Sequence, residues 1–365
     1  MHEQYMMRAI ELARKGAGWT APNPMVGAVI VKDGRIIGEG YHERYGELHA
    51  ERNAIRNLRE AAEGATLYVT LEPCCHYGKT PPCTEAILEQ KIKRVFVGSG
   101  DPNPLVAGKG VQFLREHGVE VVENFMREEC DAINPVFFHY ITTHRPYVVM
   151  KYAMTLDGKI ATRTGASKWI TGEAARTHVQ SLRGRYAAVM AGIGTVLADD
   201  PMLNCRLEGA HQPLRVIVDS KLRVPMESNI LKTAREYPTL IACAIETEDN
   251  PAAEAVRASG AEVVSLGDGK GQVSIDRLLE YLGEQKVDSV LVEGGGEIHE
   301  ACLRVGIVNH VCCYLAPKII GGREAKSPVE GLGVAEMNEA MLLENPQITR
   351  LGEDFLMEYD VRRAE

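Results

Sequence analysis

His49-Ala50-Glu51 and, further along, Pro73-Cys74 and Cys83 are the residues whose types and spacing point most directly to chemistry. One imidazole and two thiolates suit Zn2+, and a catalytic zinc keeps its fourth tetrahedral position for water. Zinc lowers the pKa of such a water towards ~7, which makes hydroxide available at neutral pH. Glu51, two residues from a ligand, can take the water proton, protonate a ring nitrogen and assist the departure of ammonia. Proton shuttling of this kind is worth roughly 10²–10⁴-fold in rate. The order matches the H-x-E…P-C-x-x-C signature of zinc nucleobase deaminases, but eight residues rather than two separate Cys74 from Cys83. That insert, Cys75-His76-Tyr77-Gly78-Lys79-Thr80-Pro81-Pro82, is a loop by composition. It leaves open a closed structural site with Cys75 or His76 as fourth ligand, and a plain pair of core thiols. Glu51 weighs against the closed site, which has no use for a carboxylate beside a ligand.

The elements that must carry these residues follow from periodicity. A helix is expected over residues 3–15, ending at Gly16. Val26–Val31, Lys32-Asp33-Gly34-Arg35 and Ile36–Gly40 read as a β-hairpin with an Asp-Gly turn. A helix is predicted from His49 to about Ala62, then a strand over Thr66–Leu71, a helix over Thr84–Glu89 and a strand over Arg94–Gly98. A helix from about Gly110 to His117 and a strand at Glu120–Val122 complete a mixed α/β domain. Thr142-Thr143-His144-Arg145-Pro146 reads as a linker, dividing the chain into 1–145 and 146–365. The second part has predicted strands at Tyr147–Met154, Ala187–Ala191, Leu214–Asp219, Thr239–Ala244, Glu262–Ser265, Ser289–Val292 and His310–Leu315, and a final hairpin from Ile348.

Composition bounds the reading. A chain of 365 residues fits about two domains. The net charge is −9 and neither part is basic, which argues against a nucleic-acid partner. No apolar run approaches the ~20 residues of a membrane span, and the charged, amphipathic start MHEQYMMRAIELARKG is unlike a signal peptide. Nine cysteines, with Cys74–Cys75 and Cys312–Cys313 adjacent, do not form a secreted disulfide framework. A cytoplasmic protein with reduced thiols is expected.

In the second part, Glu293-Gly294-Gly295-Gly296-Glu297 lies between the predicted strand Ser289–Val292 and a predicted helix over Ile298–Val305. Glycines let a phosphate approach the backbone, and a helix N-terminus offers free N–H groups. A tight strand–helix turn is the plain alternative. Gly192-Ile193-Gly194-Thr195-Val196-Leu197 lacks the third glycine of the Rossmann fingerprint.

A family resemblance sharpens both halves. Asn23-Pro24-x-Val26-Gly27-Ala28-Val29-Ile30-Val31-Lys32-Asp33-Gly34, His49-Ala50-Glu51, Thr70-Leu71-Glu72-Pro73-Cys74-Cys75-His76-Tyr77-Gly78-Lys79-Thr80-Pro81-Pro82-Cys83 and Asp101-Pro102-Asn103-Pro104 resemble the bifunctional deaminase–reductases of riboflavin biosynthesis. So do Lys151-Tyr152-Ala153-x-x-Leu156-Asp157-Gly158-Lys159, Ser167-Lys168-Trp169-Ile170-Thr171 and Gly194-Thr195-Val196-Leu197-Ala198-Asp199-Asp200-Pro201. The resemblance covers nearly the whole chain. It implies a cytidine-deaminase-like three-layer α/β domain followed by a dihydrofolate-reductase-like domain. It implies removal of the 2-amino group of 2,5-diamino-6-(5-phosphoribosylamino)pyrimidin-4-one, then reduction of the ribosyl group by NADPH.

By the same resemblance, His49, Cys74 and Cys83 hold Zn2+ and Glu51 is the acid/base, while Asn23, His42, Lys79, Asp101 and Asn103 line the deaminase pocket. Turn chemistry beside proline is an equal reading of Asn23 and Asp101. Cys75 stands where the family leads one to expect Ser. In the reductase, Lys151 and Asp199 serve the chemistry, and Ser167, Arg183, Leu203, Arg206 and Glu293 contact substrate. The NADPH contacts are Ala153, Trp169, Thr195, Asp199, Ser220 and the run Gly295, Gly296, Glu297, Ile298, His299, Glu300, Ala301. Arg183 and Arg206 suit phosphate. The plain readings are strand-end charge for Lys151 and a core anchor for Trp169. The family also suggests a homo-oligomer, dimer or tetramer. Two competing functions are a nucleoside or RNA-editing zinc deaminase with an appended nucleotide-binding domain, and a non-catalytic sensor of the phosphorylated pyrimidine.

Overall fold

The computed structural model describes residues 2–77, 81–103 and 106–362. The chain divides into two compact units, one ending at His144 and the other beginning at Arg145.

The first unit runs α1 (His2–Ala13), β1 (Gly27–Lys32), β2 (Arg35–Tyr41), α2 (Ala50–Arg56), β3 (Thr66–Leu71), α3 (Cys83–Glu89), β4 (Arg94–Ser99), α4 (Lys109–Glu116), β5 (Glu120–Val122), α5 (Arg127–Asp131) and α6 (Pro135–Thr143). The sheet order is β2-β1-β3-β4-β5. β1 is antiparallel to β2 and β3, and β3, β4 and β5 are parallel. Strand alternation makes three layers. Ala28, Ile30, Leu67, Val69, Val95 and Val97 pack with Ala50, Ala54, Ile87, Val111 and Leu114 of the helices on one face. Val29, Val31, Tyr68 and Phe96 pack on the other face against Tyr5, Met6, Ala9 and Ile10 of α1. The hairpin turn takes Asp33 and Gly34 at φ 49° and 75°, the doubly positive conformation that Asp-Gly supplies.

Glycine also decides where α2 sits. A Cβ on Gly40 would lie 2.2 Å from the Ala54 nitrogen and 2.6 Å from the Ala50 oxygen, and one on Gly38 2.5 Å from the Ala54 oxygen. The helix therefore rests directly on the backbone of β2. It is shorter than the sequence predicts, stopping at Arg56 instead of Ala62. The Asn57 amide donates to the Glu39 carbonyl and the Arg59 N–H to the Ile37 carbonyl, so the chain turns to follow β2. The predicted linker is also shorter, because Thr142 and Thr143 belong to α6.

The second unit runs β6 (Tyr147–Thr155), α7 (Glu173–Arg185), β7 (Ala188–Gly192), α8 (Ile193–Asp199), β8 (Leu214–Val218), α9 (Asn229–Lys232), β9 (Thr239–Cys243), α10 (Pro251–Ala258), β10 (Glu262–Ser265), α11 (Ile275–Glu284), β11 (Ser289–Val292), α12 (Gly296–Arg304), β12 (Val308–Ala316), β13 (Leu343–Leu351) and β14 (Asp354–Val361). Its nine-stranded sheet has the order β10-β9-β8-β7-β11-β6-β12-β14-β13. The strands from β10 through β12 pair in parallel, and β14 and β13 close the edge antiparallel. Central residues on both faces, such as Val148 and Val149, or Met190 and Val189, are fully buried, as expected where helices cover a parallel sheet. The last hairpin begins at Leu343, earlier than the predicted Ile348; β13 is largely exposed and carries no buried apolar face to mark its start.

Candidate active sites

In the first unit, His49 occupies the position before α2, and Glu51 is in its first turn and buried. Cys74 follows β3, and Cys83 opens α3. The His49 Nδ1 lies 3.4 Å from Cys74 Sγ and 3.5 Å from Cys83 Sγ. The Cys83 N–H donates to Cys74 Sγ at 3.4 Å. A tetrahedral zinc at ordinary Zn–N and Zn–S lengths needs N···S separations of about 3.6 Å, so this donor set fits the ion. Among the described residues, neither Cys75, His76 nor Glu51 offers an atom within 4.8 Å of all three ligand atoms. The closed-site alternative thus has no fourth protein ligand there, and the carboxylate stands outside the metal's ligand set.

The electrostatics are those of an anion-rich, water-poor pocket. The Cys83 thiol donates to Cys74, which with His49 pulls the Cys74 thiol well down; the Cys83 thiol is pushed up by the same partner and by burial. Burial, reinforced by the Cys74 sulfur, pushes Glu51 up to about 7.

His42 and Asn23 are brought beside this cluster. The His42 ring lies edge-on to His49 with centroids 5.4 Å apart. Its Nδ1 pairs with the Leu48 carbonyl at 3.1 Å and its Nε2 with the Asn23 amide nitrogen at 3.2 Å. The neutral ring that donates at Nδ1 and accepts at Nε2 satisfies both contacts, and burial lowers the His42 pKa in keeping with it. Asp101 lies at the end of β4, and burial pushes its carboxyl up to about 6. Its Oδ1 accepts the Asn103 N–H at 2.8 Å, the local turn bond that the sequence leaves as an alternative to binding. Lys79 lies outside the described residues.

Glu72 is a positioning residue that carries no role in the sequence reading. Its buried carboxylate accepts the backbone N–H groups of Gly108 (2.9 Å), Gly110 (2.9 Å) and Val111 (3.2 Å), tying α4 to the segment that carries Pro73 and Cys74. Its signal in the sequence is faint: an acid immediately before Pro-Cys.

In the second unit, Lys151, Arg183 and Glu293 converge from β6, α7 and the end of β11. Lys151 Nζ donates to Glu293 Oε2 at 3.1 Å, and Arg183 donates Nε and Nη2 to the same carboxylate at 2.6 and 2.9 Å. The Glu293 side chain is 5% exposed. Burial alone would raise its pKa, but the Arg183 and Lys151 charges outweigh it and hold the carboxyl well below the usual range. Arg183 also gives its Nη1 to the Asn204 carbonyl, so three of the five guanidinium N–H groups bond within the protein. Arg206 is exposed, and its backbone N–H is held by Gln180. Leu203 is buried.

Ser167 donates to Asp199 at 3.1 Å. The Gly-rich turn meets β7 and α8: the Gly192 N–H donates to the Gly294 carbonyl at 3.0 Å, and a Cβ on Gly295 would lie 3.7 Å from the Thr195 hydroxyl. Gly295 caps α12 with no side-chain acceptor, and Glu297 is in its first turn. The predicted run to Ala301 does not face one way. Ile298 packs into the core, the His299 ring nitrogens pair with the Pro328 and Val292 carbonyls, and Glu300 pairs with Arg304. Ser220, after β8, bonds Gln272 and the Val273 N–H. Ala153 is half-buried on β6. Trp169 is 62% exposed under the Arg176 guanidinium, so it is no core anchor. The glycine turn and the α12 N-terminus are the elements of this region whose backbone N–H groups suit the phosphates of a dinucleotide cofactor.

A zinc-competent His/Cys/Cys cluster with a buried carboxylate, joined to a parallel α/β unit with a glycine turn, defines a zinc-dependent deaminase coupled to a reductase. Residues 1–99 match the model of the cytidine and deoxycytidylate deaminase zinc-binding region, and residues 146–357 that of the RibD C-terminal domain. The riboflavin biosynthesis protein RibD of Actinobacillus pleuropneumoniae is 54% identical over 98% of this chain and 94% of its own length. A solved deaminase/5-amino-6-(5-phosphoribosylamino)uracil reductase from Thermotoga maritima is 40% identical, covers 99% of both chains and superposes with a TM-score of 0.87. Acinetobacter baumannii RibD is 38% identical over 99% of both chains, with a TM-score of 0.88. The chain belongs to the RibD family of bifunctional riboflavin-biosynthesis enzymes, with Zn2+ and NADPH as cofactors. The RNA-editing alternative is not favoured, since the second half matches the RibD reductase domain rather than an unrelated appended module. No helix among the described residues is long and apolar enough to cross a membrane.

Proposed function

We propose that residues 1–145 remove the 2-amino group of 2,5-diamino-6-(5-phosphoribosylamino)pyrimidin-4-one and that residues 146–365 reduce its ribosyl group to ribityl phosphate. The observation that carries the first step is the convergence of His49, Cys74 and Cys83 beside the buried, non-ligating Glu51. When bound, zinc supplies the Lewis acidity that makes water a nucleophile at neutral pH. Glu51 takes the proton from the attacking water, passes it to the ring nitrogen, and carries a second proton to the departing ammonia. Asn23, oriented by His42, reads the donor and acceptor edge of the pyrimidine, Asp101 and Asn103 add contacts to the substrate, and Lys79 meets its phosphate.

In the second unit, NADPH supplies the hydride when bound. Lys151, held by Glu293, protonates or stabilises the sugar oxygen as the ring opens, and Asp199 orients the substrate with Ser167. Arg183 acts through Glu293. Arg206 meets the substrate phosphate, with Leu203 beside it. Ala153, Trp169, Thr195, Asp199 and Ser220 border the cofactor, and the Gly295–Ala301 run presents its first peptides to the cofactor's phosphates.

A cytoplasmic homo-oligomer fits the surface of the second unit. Ile319, Leu332, Met337 and Ile348 are 74%, 101%, 86% and 65% exposed, apolar side chains that a second copy of the chain could cover. The deciding experiment is mass spectrometry of products from the phosphoribosylated diaminopyrimidine. Without NADPH the amino group should be exchanged for oxygen; with it the product should gain two hydrogens as well. Unchanged substrate with zinc-loaded protein would refute the assignment.

A further inference from the structure

A second group of metal-ligating side chains lies in the second unit, built from residues that carry no role above. His310 and Cys312 are two apart on β12 and so point to the same face of the sheet. Glu358 and Asp360 of β14 stand directly opposite, in the register Cys312↔Glu358 and His310↔Asp360. The nearest Glu358 oxygen is 3.7 Å from His310 Nε2 and 3.8 Å from Cys312 Sγ. One ligand atom from each of the three residues falls within 4.8 Å of the others. Tetrahedral zinc at ordinary bond lengths needs separations of about 3.3–3.6 Å, so the two contacts of the Glu358 oxygen lie within a few tenths of an ångström of those an ion would set.

The surrounding shell has the form such sites take. His310 Nδ1 pairs with Asp360 Oδ1 at 2.9 Å, which leaves Nε2 to face Cys312 and Glu358. A carboxylate on the far nitrogen of a ligating imidazole fixes its ring and its basicity. Cys312 is 1% exposed and forms the floor. The His310 and Glu358 side chains are 21% and 26% exposed and leave an entry path. Arg185 and His178 of α7 face Glu358, and Arg185 also faces Cys312; burial raises the Cys312 thiol, so an ion would bind there with release of its proton.

We propose that His310, Cys312 and Glu358 bind a thiophilic divalent cation, Zn2+ in class, with Asp360 orienting the imidazole. A mixed N, S and O set selects a borderline-soft ion over Mg2+ or Ca2+, which take oxygen ligands. The site clamps β12 to the antiparallel edge. Cys312 is also the parallel register partner of Lys151, so the clamp lies one strand from the Lys151–Glu293–Arg183 cluster.

The test uses the reduced full-length chain, saturated with Zn2+ and dialysed, with zinc counted by mass spectrometry alongside deaminase turnover. The expected count is two ions per chain, falling to one in the H310A/C312S double variant while deaminase turnover is unchanged. A count of one in the unmutated chain overturns the proposal. Because replacing a buried cysteine can unfold the strand, Glu358→Gln gives a second readout: the Kd of the weaker equivalent rises at least ten-fold and that of the stronger stays put. Equal affinity in parent and Glu358→Gln overturns it. In crystals soaked with Zn2+, anomalous density is expected between Nε2, Sγ and the Glu358 carboxylate. Density only at His49, Cys74 and Cys83 refutes this site and leaves the deaminase assignment standing.

Discussion

Replacing Glu293 by Gln keeps the shape of the side chain and removes the one charge that faces both Lys151 and Arg183. The carboxylate is almost wholly enclosed and accepts three donors, at 3.1, 2.6 and 2.9 Å. Breaking a buried ion pair by removing one partner costs about 3–5 kcal/mol, because the remaining charges stay desolvated. One kcal/mol moves Tm by about 2–4 °C in a domain of 150–250 residues, so the transition of the second unit should fall by roughly 6–20 °C. The pH dependence has a definite sign. The folded Glu293 carboxyl sits far below its unfolded value of about 4.3, so its contribution is complete above that value and is lost as pH falls towards the folded pKa. The gap in Tm between parent and E293Q should therefore be flat from pH 8 to about pH 5 and shrink below pH 4. With Lys151 no longer fixed, NADPH oxidation with the deaminated substrate should drop about 10²-fold, while ammonia release in the first unit is unaffected. Differential scanning calorimetry across pH and a coupled absorbance assay read both effects. A Tm within 2 °C of the parent, or a gap that widens in acid, would show that the three groups are not one electrostatic unit.

Three further outcomes follow from the first unit. Glu51→Ala should lower ammonia release by about 10²–10⁴-fold with bound zinc undiminished by elemental analysis; loss of the metal in this variant would make Glu51 a ligand. Glu72→Ala leaves the Gly108, Gly110 and Val111 N–H groups without their acceptor and should cost about 1–3 kcal/mol, together with a 10–100-fold loss of zinc affinity through Cys74. Glu72→Gln should restore part of that affinity, measured by competition with a chromophoric chelator. Gly40→Ala puts a methyl group 2.2 Å from the Ala54 nitrogen and should abolish deaminase turnover while NADPH oxidation persists; wild-type deaminase activity would refute the close seating of α2.

Much of the first site was legible because its residues travel in short motifs. His49 and Glu51 are neighbours on one helix turn, and Cys74 and Cys83 flank one loop, so local sequence carries the chemistry. The Asp33-Gly34 hairpin was equally local. The ion cluster around Glu293 was not: its members are 142 and 110 positions apart, and only sheet order brings them together. The family resemblance names Arg183 without saying that it holds the Glu293 carboxylate. The α7 helix was missed for a related reason. A segment such as Glu173–Arg185 is mostly polar and buries few side chains, leaving a weak periodic signal beside the strong apolar strands. Trp169 misleads in the other direction, since a large aromatic reads as core and here stacks under Arg176 at the surface.

The seat of α2 on Gly38 and Gly40 has a bearing on how the first unit tolerates change. Side chains at most interfaces act as adjustable spacers, hopping between rotamers when a neighbour is replaced. Main chain laid against main chain has no such play, so the height of this helix above the strand is set by bond geometry alone. A substitution at Ile30 or Val69, fully buried in the same layer, meets that fixed spacing and must be accommodated by the side chains around it.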